Sequence, residues 1–119
     1  MAERRRLPDR RPNVTVEVDH AGFRLAVTVG FDLGGRPLEV FASGTRIGTD
    51  LGHVIADACV LMSLALQHGC PPGRLVRTLG RVPDPGLGPE AARPASVVGA
   101  VAAVAARIGD EIGETGGTG

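Results

Sequence analysis

The chain has 119 residues, 43% of them apolar, and a formal net charge of zero. That length suits one domain with one core, burying roughly two-thirds of the surface its unfolded chain exposes. Zero net charge argues against bulk attraction to nucleic acid or an anionic membrane. With three Phe as the only aromatic residues, the core has to be built from Val, Leu, Ile and Ala.

Charge is uneven along the chain. Arg4, Arg5, Arg6, Arg10 and Arg11 stand with Pro8 and Pro12 in the first dozen residues. This composition predicts a solvated, disordered arm over residues 1–12; the sharper alternative is an arm that orders on an acidic partner or on phosphate. No apolar run follows the arginines, so the arm is not a signal peptide. No stretch reads as the roughly 18 apolar residues of a membrane span. The expectation is a cytoplasmic protein without membrane contact.

Val14, Val16 and Val18 alternate with Thr15, Glu17 and Asp19, the period-2 pattern of a half-buried strand. Asp19-His20-Ala21-Gly22 carries turn chemistry, with Gly22 for a positive φ. Phe23, Leu25, Val27, Val29 and Phe31 then alternate with Arg24, Ala26 and Thr28 in a second strand, hairpinned to the first. Gly34-Gly35 marks another reversal. Leu38, Val40 and Ala42 alternate with Glu39, Phe41 and Ser43 in a third strand. Three strands with short turns make an antiparallel meander with one apolar face.

That face needs a cover. Thr49 or Asp50 can cap a helix, and Gly69 suits the position after its end. Between them Leu51, Val54, Ile55, Ala58, Leu61, Met62 and Ala65 follow helical spacing. Cys59, Val60, Leu64 and Leu66 widen the stripe until only His53, Asp57, Ser63 and Gln67 read as solvent positions. So apolar a helix calls for a second cover, either the C-terminal helices or a second subunit. Cys59, Val60, Met62 and Leu64 are the residues expected at such an interface, and a homo-oligomer is one expected state.

Pro71-Pro72 can open a short helix with Leu75, Val76 and Leu79, stopped by Gly80. Residues 81–94, rich in Pro and Gly, read as a loop. Ser96 caps a last helix carrying Val97, Val98, Val101, Val104, Ala105 and Ile108. Residues 111–119 read as a flexible Gly-rich tail. The fold class is therefore α/β (α+β): a three-stranded antiparallel meander, one long apolar helix and two shorter helices, in a single domain over residues 13–110.

Chemistry is sparse in this pattern. Gly44, Thr45, Arg46, Gly48 and Thr49 lie between a strand and a helix N-terminus, where backbone N–H groups favour an anion such as a nucleotide phosphate. The segment has neither the lysine of a P-loop nor GxGxxG spacing, so a plain strand-to-helix connection is the favoured reading. His20, His53 and His68 are too scattered for a metal site. Cys59 and Cys70 have neither redox nor zinc spacing. No catalytic residue, metal or cofactor is expected.

The stretch Val27–Leu79 resembles the TSCPD domain. The resemblance lies in Gly35-Arg36-Pro37-Leu38-Glu39-Val40-Phe41, in Ser63-Leu64-Ala65-Leu66-Gln67-His68-Gly69 and in the Pro71–Leu79 segment. "PASVVGAVAAVA", residues 94–105, is similar to the family's closing helix. That family occurs near the C-terminus of adenosylcobalamin-dependent (class II) ribonucleotide reductases and as short stand-alone proteins. The resemblance therefore implies a link to DNA synthesis and a partner that is a second copy or a reductase-related protein. The cysteine signature that names the family is missing, and "GRVPDPGLG" stands near where it would be, so the resemblance does not carry over a cysteine-based metal or redox role. The reductase's catalytic barrel is several times longer than this chain. A family-based name would read ribonucleoside-diphosphate reductase, but no reduction by this chain alone is implied.

Three functions remain as expectations. The first is a non-catalytic module acting by protein association. The second is a small-ligand or nucleotide sensor at Gly44–Thr49. The third, nucleic-acid binding through the arginine arm, is the weakest, because no aromatic platforms accompany it.

Overall fold

The computed structural model describes residues 12–44 and 48–117. The arm read from residues 1–11 lies outside that range. Pro12, its last residue, already joins the sheet: its carbonyl accepts from the Phe31 N–H at 3.0 Å.

Strands β1 (Asn13–His20), β2 (Phe23–Phe31) and β3 (Pro37–Gly44) form an antiparallel sheet in the order β1-β2-β3. The register sets Val16 opposite Val27 and Val29 opposite Val40, so the alternating valines share one face. The other face is polar, and Thr15 and Thr28 bond across it at 2.8 Å. Ala21 and Gly22 alone link β1 to β2, both at positive φ (52° and 86°), the backbone of a type I′ turn. The second reversal is organised by Asp32, whose carboxylate accepts from the N–H groups of Gly34 and Arg36.

Helix α1 (Asp50–Gln67) starts where Thr49 accepts from the Gly52 N–H at 3.1 Å. It ends at His68 in a Schellman arrangement, with Gly69 N–H bonded to Leu66 O and Cys70 N–H to Ala65 O. By length and composition alone α1 could cross a membrane, which the sequence reading excluded. Its inner side, however, is packed into a protein core. Ile55, Cys59, Met62 and Leu66 are buried there with Val27, Val29, Phe31 and Val40.

Helix α2 (Pro72–Thr78) begins at its proline and packs on helix α3 (Val97–Gly117). Ser96 caps α3 through the Gly99 N–H at 3.1 Å. Helix α3 crosses the apolar face of the sheet and touches all three strands as well as α1. At 21 residues it outruns the 18 of α1. The expected hierarchy of one long and two shorter helices is thus corrected, and the helix takes in residues 111–117 of the expected tail. Small residues explain its length being missed: Gly109, Gly113, Gly116 and Gly117 weaken helix propensity without ending the helix.

Residues 81–94 are not a plain loop. Strands β4 (Arg81–Pro83) and β5 (Ala92–Pro94) pair antiparallel, joined through a 3₁₀ turn at Pro85–Leu87. Two backbone bonds, Asp84 N–H to Ala91 O and Ala95 N–H to Gly80 O, extend the little ladder. Three-residue strands bounded by proline offer too few positions to show a period.

Candidate functional site

The distinctive feature of the fold is the way α1 meets β3. In an antiparallel sheet an edge strand directs every second residue's N–H and C=O outward. On β3 these belong to Leu38, Val40 and Ala42. Helix α1 lies along this edge, running antiparallel to the strand. The Ser63 hydroxyl accepts from the Val40 N–H at 2.9 Å and donates to the Val40 carbonyl at 3.3 Å. One turn on, the Gln67 amide donates to the Leu38 carbonyl at 3.1 Å. The spacing of four puts both polar side chains on one helix face, so the helix stands in for a missing strand. Ser63 is therefore half-buried rather than a solvent position, whereas Gln67 is exposed, as the helical pattern assigns, while still donating to β3.

With its inner side buried and one flank on β3, α1 turns a third side outward. Val54, Val60, Leu61 and Leu64 are 49%, 64%, 66% and 52% exposed. No described residue covers this ridge. A groove of about 360 Å³ runs along its β3 flank, lined by Phe41, Val60, Ser63, Leu64 and Gln67 among others. A second groove of about 390 Å³ opens on the other flank, between Leu61, Met62, Leu75, Leu79, Val98 and the Arg74 side chain. An apolar ridge between two grooves can hold an apolar partner surface; the groove walls carry few polar groups, among them Glu39 and Ser63 on one flank and Cys70 and Arg74 on the other.

The family model of the TSCPD domain matches residues 3–108. The chain belongs to the TSCPD domain family. Over 68 residues it is 34% identical to a protein from Rhodopirellula baltica (strain DSM 10527 / NCIMB 13988 / SH1) named vitamin B12-dependent ribonucleotide reductase. That match covers 57% of this chain and only 6% of the reductase. No solved structure matches. The resemblance read from the PLEVF strand and the SLALQHG helix end is thus confirmed. Those blocks hold the two residues, Ser63 and Gln67, that tie α1 to β3 in this TSCPD domain.

The expected interface residues divide. Val60 and Leu64 stand on the exposed ridge, whereas Cys59 and Met62 are 3% and 6% exposed and belong to the core. The periodicity is ambiguous because apolar residues surround most of the helix, so pattern alone does not tell inner from outer side. Leu61 and Val54, absent from that set, complete the ridge. Burial pushes the Cys59 thiol up to about 11, which leaves it protonated and unreactive near neutrality. Cys70 is half-buried and also free.

At the proposed anion loop, Thr45 and Arg46 lie outside the described residues. Gly44 has a steric reason of its own: a Cβ there would sit 2.9 Å from the Arg24 carbonyl oxygen on β2. Thr49 occupies one first-turn N–H of α1 itself. The adjoining cavity, between Leu25, Ser43, Gly44, Gly52 and Ile55, holds about 20 Å³, room for a single water. These features give a nucleotide no support beyond the loop's sequence. His20, His53 and His68 lie on a hairpin end, in the first turn of α1 and at its C-cap. Among the described residues no three His, Cys, Asp or Glu side chains gather as a metal site.

Proposed function

We propose that this chain is a non-catalytic accessory module of ribonucleotide reductase systems, working by protein association through the outer side of α1. One observation carries the reading: Val54, Val60, Leu61 and Leu64 form an exposed apolar ridge flanked by two grooves. Isolated surface apolar residues are ordinary, but several exposed on one side of a helix, here with Asp57 between them, mark an interaction site on a small domain. The partner class is supported by the similarity to a segment of a vitamin B12-dependent ribonucleotide reductase. Because the chain spans about 6% of that relative's length, association with a reductase polypeptide, rather than reduction, is the role proposed here.

The test is a calorimetric titration of the full chain into a purified B12-dependent ribonucleotide reductase. Binding is expected, and Leu61→Glu/Leu64→Glu should weaken it tenfold or more, because apolar anchors at an interface centre are each worth about 2 kcal/mol or more. The melting temperature should barely move, since neither side chain is part of the core. No binding, or binding indifferent to both substitutions, overturns the reading.

A further inference from the structure

Among the described residues, the opposite edge of the sheet has no such cover. The backbone groups of β1 that face β2 are those of the even residues, since the Pro12 carbonyl and the His20–Phe23 closing pair both point inward. Asn13, Thr15, Glu17 and Asp19 therefore direct their N–H and C=O groups away from the sheet. Among the described residues nothing bonds to them, and these four residues are exposed. The strand is eight residues long, regular in register, and free of proline and bulges. Val14, Val16 and Val18, on the apolar face, are only half-buried. An edge that is long, regular and unblocked is a template for another strand.

The sequence of β1 names that strand. We propose that a second copy of the chain adds its own β1 antiparallel to this one, about a two-fold axis at Val16, to give a continuous six-stranded sheet. In that register Val16 faces its own copy and Val14 faces Val18 of the second copy, so half-buried valines cover half-buried valines. On the polar face Thr15 meets Glu17, and Asn13 meets Asp19. Each acid thus lies opposite a neutral hydrogen-bonding side chain and never directly opposite another acid, the arrangement that like charges require. Four facing pairs of outward backbone groups would close about eight inter-strand hydrogen bonds. A C2 contact must be self-complementary, and Asn-Val-Thr-Val-Glu-Val-Asp is so about its central valine.

Sedimentation equilibrium of the full chain tests this, with three variants. The parent chain is expected to be dimeric. Glu17→Pro removes an outward N–H that the monomer does not use, so it should give a monomer with an unchanged circular dichroism spectrum. Thr15→Lys places a cation opposite Glu17 of the other copy, twice per dimer, and should tighten the dimer several-fold. Thr15→Glu places an acid there and should loosen it by a similar factor. A parent chain that stays monomeric at 100 times the concentration of an ordinary micromolar complex (about 100 μM) overturns the proposal. So does a dimer that survives Glu17→Pro, or one that responds alike to both Thr15 variants. A dimer lost on Leu61→Glu/Leu64→Glu but not on Glu17→Pro would move self-association to α1. Reductase binding by the Glu17→Pro monomer separates the two readings: its persistence supports the α1 ridge whatever becomes of the dimer.

Discussion

The two edges of one three-stranded sheet are handled in opposite ways. At β3 a helix lies along the strand, and two of its side chains, Ser63 and Gln67, take the place of a neighbouring backbone. At β1 the outward groups of Asn13, Thr15, Glu17 and Asp19 meet no described residue. The contrast teaches how a small domain divides its surface. The covered edge engages two polar residues of α1, Ser63 and Gln67, and leaves Val54, Val60, Leu61 and Leu64, with His53 and Asp57, on its exposed side. The open edge keeps its hydrogen-bonding capacity for something else. A sheet this narrow cannot bury both edges with one long crossing helix, so the choice of edge determines which surfaces remain for partners.

The comparison can be broken most severely from the covered side. Leu66 is 1% exposed at the end of α1, packed in the core with Phe31 and Val40. Leu66→Ala should cost about 2–5 kcal/mol, the range for opening a cavity in a closed core. Val16 on the open side is only half-buried, so Val16→Ala should cost about 1 kcal/mol or less, in proportion to the apolar area it covers. Urea midpoints of the two variants, measured at a dilution that keeps the chain monomeric, check this. Equal losses would mean that the two sides of the sheet contribute alike and that the asymmetry drawn here has no energetic weight.

A narrower cut removes the cover's hydrogen bonds and leaves its packing. Ser63→Ala strands the N–H and C=O of Val40 in a part-buried seam. An unsatisfied group of this kind costs about 1–3 kcal/mol. Amide exchange should localise the effect, with Val40 losing protection while Val27, bonded within the sheet, keeps most of its own. If Val40 exchanges as slowly as before, Ser63 is not what closes the edge.

These two side chains also show where sequence reading stops. The strands were legible because alternation has a fixed period and the meander's turns carry their own chemistry: Asp19 and Gly22 at one, Gly34-Gly35 at the other. The start of α1 was legible from Thr49 and its end from Gly69. Which side of α1 faces inward was not, because apolar residues surround most of the helix and Cys59 looks no different from Val60. Ser63 and Gln67 look like solvent positions because a helical wheel records polarity, whereas their partners are backbone groups 23 and 29 residues earlier. The β4–β5 hairpin hid for a different reason, since its paired segments are three residues each and bounded by prolines. For the candidate site, Val60 and Leu64 were legible as apolar excess; Leu61 and Val54 joined them only once the fold showed which flank β3 occupies.

The smallest effect sharpens the open edge without touching it. Among the described residues, strand β1 hydrogen-bonds to the sheet on one side only, through β2 and the two-residue turn at Ala21-Gly22, and packs on α3. Ala21 sits there at φ 52°, a left-handed conformation that costs a residue with a Cβ about 1–2 kcal/mol. Gly22 takes the same region at little cost. Asn is the side chain that type I′ turns favour at this first position, and it adds no glycine-like freedom to the unfolded chain. Ala21→Asn should therefore stabilise the chain by about 0.5–1 kcal/mol, a rise of a few degrees in melting temperature for a domain of this size. The gain acts on the monomer, so the dimer's dissociation constant should stay where it was while the exchange of β1 amides slows. An unchanged melting temperature would show that the turn is not strained. A tightened dimer would show instead that β1 frays in the monomer and must be ordered before its edge can pair, which would place part of the cost of association in the hairpin itself.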